Sequence, residues 1–290
     1  MITTKPVLTQ DRINEIKTII AENPQMGRSE ISRQICRMWG WQSPTGVLKD
    51  IAARDMLRAL DKAGKITLPP PMGPVRKAGN RTKIKHLEHN MNPIECPLAD
   101  LLPINLETVN AGPILEEFKS YLDQFHYLGF DRTVGENMKY IVRDHSGRPL
   151  ACLLFGSAAW SCGDRDRFIG WDKKMRSANL MWMTNNVRYL IFPWVRVQNL
   201  ASHILAMVSR RISRDWEEKY GHGLVCLETF VESPARFRGT CYKAANWIKV
   251  GRTLGRGRDG GHHYAVMPEK DIYLYPLDKN YQQKLRGETL

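Results

Sequence analysis

The sequence has no apolar run long enough to cross a bilayer. Its longest, Tyr189 to Val195, falls far short of the roughly 20 residues that a spanning helix needs. The start, Met1-Ile-Thr-Thr-Lys-Pro, lacks the apolar segment of a secretory signal. A cytoplasmic protein with no membrane partner is expected. The six cysteines, Cys36, Cys96, Cys152, Cys162, Cys226 and Cys241, form no Cys-x-x-Cys pair, which argues against a zinc ribbon. Reduced, mostly buried thiols are the default in such a compartment. The eight histidines show no metal-ligand spacing. Internal repeats and low-complexity tracts are also absent. Acid is scarce: 30 Asp and Glu stand against 43 Lys and Arg, for a net charge of +13. That excess favours a polyanion: DNA, RNA or an acidic membrane surface.

What is present suits a globular protein. The 290 residues are 42% hydrophobic and 25% charged, enough for a sizeable core in one large or two unequal domains. Asp11 to Glu22 reads as a helix, with Ile13, Ile16, Ile19 and Ile20 at helical spacing. Asn23-Pro24 ends it. A second helix starts near Ser29 as N-cap, with Ile31, Ile35 and Met38 facing inward. A third runs from about Leu48 to Lys62, with Leu48, Ile51, Ala52, Met56, Leu57 and Leu60 as its expected inner stripe. Lys49, Arg54 and Arg58 fall on its outer face. Lys65 to Leu68 reads as a short strand. Three helices and a strand predict a winged helix-turn-helix over 1–71, a plan whose third helix enters the major groove.

Residues 72–105 read as a basic Pro/Gly-rich linker. Arg76, Lys77, Arg81 and Lys83 are candidates to follow a phosphate backbone by charge. A mixed α/β domain is expected over 106–290, so the fold class is α+β. Its expected elements include a helix at Ile114–Gln124, strands at Met138–Asp144 and Leu150–Ala159, a strand at Val187–Pro193 and a long helix at Leu200–Tyr220. A strand at Leu224–Phe230, a helix at Arg236–Asn246, and paired strands at Trp247–Arg252 and Asp271–Pro276 complete them.

Three constellations bear on chemistry. Gly251 to Gly261 alternates glycines with Arg252, Arg256 and Arg258. Glycine lets backbone N–H groups approach phosphate, and arginine grips it with two donors. No Gly-Lys-Ser/Thr follows, so this is not a nucleotide P-loop. The second constellation is acidic: Glu228 and Glu232 are candidate ligands for Mg²⁺ or Mn²⁺ in phosphodiester cleavage. Asp164 and Asp166 each precede an arginine and are as readily ion-paired. Third, Tyr242 is a candidate nucleophile. Of the tryptophans at 160, 171, 182, 194, 216 and 247, one or two exposed rings would suffice to stack on bases.

The motifs Phe168-Ile-Gly-Trp171, Asn185-Asn-Val-Arg-Tyr-Leu-Ile191, Pro193-Trp-Val195, Asn199-Leu-Ala-Ser202, Leu227-Glu-Thr-Phe-Val-Glu232 and Phe237-Arg-Gly-Thr-Cys-Tyr-Lys-Ala-Ala-Asn-Trp247 resemble the DruA family. That family is named for a component of the Druantia anti-phage defence system, and related modules accompany insertion-sequence transposases. The winged helix, the basic linker and the Gly/Arg loop point to DNA as a partner, and the resemblance adds other defence or transposition proteins. The element order from Val187 to Gly251 is similar to that of GNAT acetyltransferases. The turn that binds cofactor pyrophosphate in that superfamily corresponds here to Val195–Ser202, which has no glycine. Acyl transfer therefore ranks below DNA binding and below a metal-dependent nuclease or strand transferase.

Overall fold

The computed structural model describes residues 6–43, 46–70, 84–130, 132–232, 237–253 and 268–288. The chain divides into two compact units, Met1–Thr82 and Lys83–Leu290.

The first unit holds three helices, α1 (Gln10–Glu22), α2 (Arg28–Met38) and α3 (Asp50–Lys62). The Thr9 side chain caps α1 by accepting the Arg12 N–H. Ile13, Ile16 and Ile19 are buried from α1, and Ile31 and Ile35 from α2. Two details differ from expectation. Helix α2 starts two residues earlier than an N-cap at Ser29 allows, with Gly27 in the cap position. Met38 points outward, 48% exposed.

The larger difference is in α3. Leu48 is not helical; it bridges Gln42 in a short hairpin between α2 and α3. The helix therefore starts at Asp50, and its buried stripe keeps the expected Met56, Leu57 and Leu60 while Ala53 takes the place of Ala52. These positions follow i, i+3, i+4, i+7, the spacing of one helix face. Ile51 is left 62% exposed. Trp41, almost fully buried, joins the core from the hairpin instead. After α3, Ile66 and Leu68 are buried, but among the described residues Lys65–Leu68 forms no ladder.

In the second unit, residues 84–104 are packed rather than tethering, contrary to the linker expected from their composition. Ile94, Leu101 and Ile104 are buried. Ile94 bonds to the main chain at Trp194 and Arg196. Isolated apolar residues among polar ones carry no periodicity, so the sequence did not show this.

A seven-stranded sheet follows, in the order β1-β2-β3-β4-β5-β7-β6. Its strands are β1 (Asn105–Thr108), β2 (Asn137–Arg143), β3 (Pro149–Ser157), β4 (Met183–Ile191), β5 (Cys226–Glu232), β6 (Ile248–Arg252) and β7 (Lys270–Pro276). Helix α4 (Pro113–Phe125) packs on β3, and α7 (Leu200–Tyr220) on β2. Between β3 and β4 lie α5 (Gly163–Ile169) and α6 (Lys173–Asn179); α8 (Thr240–Ala244) precedes β6, and α9 (Tyr281–Arg286) ends the unit. No helix among the described residues is long and apolar enough to cross a membrane.

Strands β4 and β5 run parallel and pair only from Met183↔Cys226 to Asn185↔Glu228. Beyond that point they separate. The gap is filled by the protein's own polar groups. Thr229 Oγ1 donates to the Asn186 carbonyl (3.0 Å), and Tyr242 Oη donates to Asn186 Oδ1 (2.6 Å). Asn186 Nδ2 donates to the carbonyls of Leu154 and Arg188. Backbone and amide groups left without a ladder partner must find others when buried, and here side chains supply them.

Candidate nucleic-acid interface

The chain leaves β3 at Ser157 and turns through Ala158–Cys162 into α5. A buried ion network fixes this turn. The Ala159 N–H donates to Glu228 Oε1 (2.6 Å), and the Ala159 carbonyl accepts from Arg165 Nη1 (2.8 Å). The same Arg165 nitrogen reaches Glu228 Oε2 at 2.7 Å. Arg165 also donates from Nε and Nη2 to Asp166 Oδ1, and Arg176 Nη1 donates to Asp166 Oδ2 at 2.7 Å. The Arg165 guanidinium lies 5.4 Å from the centre of the Trp171 ring. Arg165 and Glu228 are both fully buried. Burial opposes the Arg165 charge, but its two carboxylates hold its pKa above the ordinary value. Burial pushes the Glu228 carboxyl upward, and Arg165 draws it back.

Within this pinned turn, Trp160 stands 63% exposed. The Arg176 guanidinium sits 6.0 Å from its ring centre. Phe168 and Met175 are also exposed, at 38% and 37%. Lys173 and Lys174 are exposed on α6, and among the described residues neither is in an ion pair. Arg167 is paired with Asp164 at 3.2 Å, but with its side chain 80% exposed. The result is an exposed indole on a rigid mount, with the Arg176 guanidinium against its ring and further cations exposed on α5 and α6.

This face adjoins the root of the Gly/Arg loop. Asp164 Oδ2 accepts the Arg252 N–H at 2.9 Å. Only glycine fits at 251, since a Cβ there would lie 2.2 Å from that same oxygen. The Arg252 side chain bonds Asp271 at 2.8 Å and remains 51% exposed. Arg256 and Arg258 lie outside the described residues, as do Arg76, Lys77, Arg81 and Lys83.

The expected acidic centre is not assembled. Glu228 and Glu232 are four residues apart on an uninterrupted strand, about 13 Å along it at ~3.3 Å per residue. Both Glu228 oxygens are engaged, while Glu232 faces Lys270 across the ladder. No group of three or more His, Cys, Asp or Glu among the described residues could hold a metal ion. The described residues do not fit Mg²⁺ or Mn²⁺. Tyr242 is 7% exposed, hydrogen-bonded to Asn186, and its pKa is raised by burial. A nucleophile needs access and an easily lost proton; Tyr242 has neither.

On α3, Arg54 pairs with Asp50 (3.3 Å) and Arg58 with Asp55 (2.9 Å). Lys49 is half-buried, and burial lowers its pKa. Trp160 is one of six tryptophans in the second unit that the sequence does not separate; only exposure does. Arg176, in a short helix of no marked periodicity, gave no signal.

The family model described as Druantia protein DruA matches residues 73–265, more than half the chain. The chain belongs to the DruA family. No curated protein matches it. Among solved structures, this DruA-family chain is similar to acetyltransferases. The spermidine/spermine N-acetyltransferase SpeG from Vibrio cholerae, in complex with manganese ions, shares 9% identity at a TM-score of 0.37, over 62% of this chain and 96% of that one. A GNAT family acetyltransferase from Elizabethkingia anophelis with acetyl-CoA bound shares 9% identity at 0.38, over 60% and 97%. The ribosomal-protein-S18-alanine N-acetyltransferase from Escherichia coli shares 8% identity at 0.35, over 60% and 94%. Likeness at this level concerns the fold and says nothing of the chemistry.

Proposed function

We propose that this DruA-family chain serves anti-phage defence as a nucleic-acid-binding protein, and that Trp160 and its surrounding cations form a stacking platform for an unpaired strand. The observation that supports this reading most is the combination of exposure and rigidity at Trp160. An apolar ring left 63% exposed gains nothing for the fold. The turn beneath it is nevertheless held by a fully buried Arg165–Glu228 pair. Aromatic rings beside a positive surface bind single strands by stacking while the cations follow the backbone. Glu228 on this reading positions the platform and does no chemistry.

The first unit is read as the second grip, a winged helix-turn-helix presenting Arg54 and Arg58 to duplex DNA. Its three helices and compact core support that reading. The Arg58–Asp55 pair is well exposed. Such pairs contribute little, so exchanging carboxylate for phosphate costs little.

The test is fluorescence anisotropy with labelled oligothymidine and duplex DNA across a salt series. Trp160→Ala is expected to weaken single-strand binding by roughly 1–3 kcal/mol, the usual worth of one stacked base, and to leave the salt slope unchanged. Lys173→Ala with Lys174→Ala should lower the slope by up to about one unit each. Unchanged oligothymidine affinity in Trp160→Ala would overturn the platform.

A further inference from the structure

A second cationic feature lies at the start of β2, where the sequence carries no motif. Lys139 is 8% exposed. Its Nζ donates to Asn137 Oδ1, a neutral amide oxygen. Lys219, at the end of α7, donates from Nζ to the main-chain oxygen of the same Asn137 at 3.0 Å. Two ammonium groups are thus gathered on the two oxygens of one residue. The Tyr220 hydroxyl closes the arrangement, accepting the Asn137 N–H at 2.7 Å and donating to its carbonyl at 2.8 Å.

The neighbouring charges do not balance this pair. Lys119 on α4 adds a third ammonium, and its own partner is Glu116 at 2.7 Å. Glu136, next in the chain, is held by His222 Nε2 at 3.0 Å. Among the described residues, no carboxylate is ion-paired with Lys139 or Lys219. Burying an ammonium without an anion is costly, and buried charges are ordinarily paired. Burial and the two nearby lysines pull the Lys139 pKa down to about 8, as they must when no anion offsets them.

We propose that Lys139 and Lys219, gathered on Asn137, bind an oxyanion of the phosphate class. Such an ion supplies the missing charge and accepts the remaining ammonium protons. The site does not depend on the Trp160 platform. Its ligand is the phosphate group itself, carried either by a small phosphorylated molecule or by a nucleic-acid backbone.

The experiment follows the side-chain carbon shift of Lys139 by NMR in the full-length, lysine-labelled protein carrying Trp160→Ala, at low salt. Inorganic phosphate, a 5′-nucleotide and dephosphorylated oligothymidine are titrated separately. Saturable shifts with phosphate and nucleotide assign the site to a phosphate monoester. Shifts with oligothymidine alone assign it to the phosphodiester backbone. Affinity should fall about tenfold per pH unit above about 8 as Lys139 loses its proton. Lys139→Met should abolish binding while the protein melts at the same or a higher temperature. If none of the three ligands moves Lys139, or if Lys139→Met binds phosphate as the parent does, the site does not exist.

Discussion

Glu228→Gln removes one charge from a buried set of four. Arg165 and Arg176 supply two positive charges, Asp166 and Glu228 two negative ones, and none of these side chains is more than 13% exposed. The substitution preserves shape and leaves an acceptor for the Ala159 N–H. It strips Arg165 of one of its two carboxylates, so a net positive charge stays buried against Trp171. Breaking a buried pair from one side costs about 3–5 kcal/mol. That is a large share of the ~5–15 kcal/mol by which a domain is stable. Arg165→Met with Glu228→Met removes both charges and leaves Asp166 with Arg176. Its cost should be smaller than that of Glu228→Gln alone, so the cycle has a strong favourable coupling. Urea unfolding followed by tryptophan fluorescence measures Glu228→Gln, the two single methionine variants and the double variant. If Glu228→Gln unfolds within about 1 kcal/mol of the parent and the double variant is merely additive, the carboxylate is not holding a buried charge. If Glu228→Gln also kept full stability and abolished a Mg²⁺-dependent cleavage, the acid would be catalytic and the positioning role refuted.

Two further outcomes test other parts of the unit. Gly251→Ala places a methyl 2.2 Å from Asp164 Oδ2, so Asp164 must release the Arg252 N–H. A loss of roughly 1–3 kcal/mol is expected in thermal melts, partly recovered by adding Asp164→Gly; a neutral Gly251→Ala contradicts the packing of α5 on β6. The buried Lys139 fixes a pH dependence. Its pKa falls from 10.5 to about 8 on folding, so between those values the unfolded chain binds more protons and stability rises with pH. The full rise is about 3 kcal/mol at ~1.4 per unit. Lys219 shifts in the same direction. Near pH 10 the buried tyrosines 121, 140 and 242, all shifted upward from 10, begin to oppose it. Urea midpoints from pH 8 to about 9.5 should climb in the parent and flatten in Lys139→Met; a falling midpoint contradicts the assignment.

The sequence by itself determined most of the elements and the family. Helix α7 lies where Leu200–Tyr220 was expected, and β6 pairs β7 as Trp247–Arg252 and Asp271–Pro276 foretold. Hydrophobic spacing is a local property, so it survives in one dimension. The motifs around Asn185–Ile191 and Phe237–Trp247 are likewise contiguous, and they carried the DruA resemblance. Where no local cue exists, the structure departs from the pattern. The hairpin at Gln42–Leu48 delayed the start of α3 and left Ile51 exposed. The scattered Ile94, Leu101 and Ile104 anchored a stretch that composition marked as linker.

The site belonged to tertiary structure. Arg165 and Glu228 are 63 residues apart, Lys139 and Lys219 meet only through Asn137, and Tyr242 reaches Asn186 across 56. Whether a glutamate is a metal ligand or a counter-ion depends on what faces it. Whether a tryptophan is core or platform depends on what covers it. Charge, access and proton affinity are set by neighbours in space. The fold alone placed Glu228 under Arg165 and left Trp160 in the solvent.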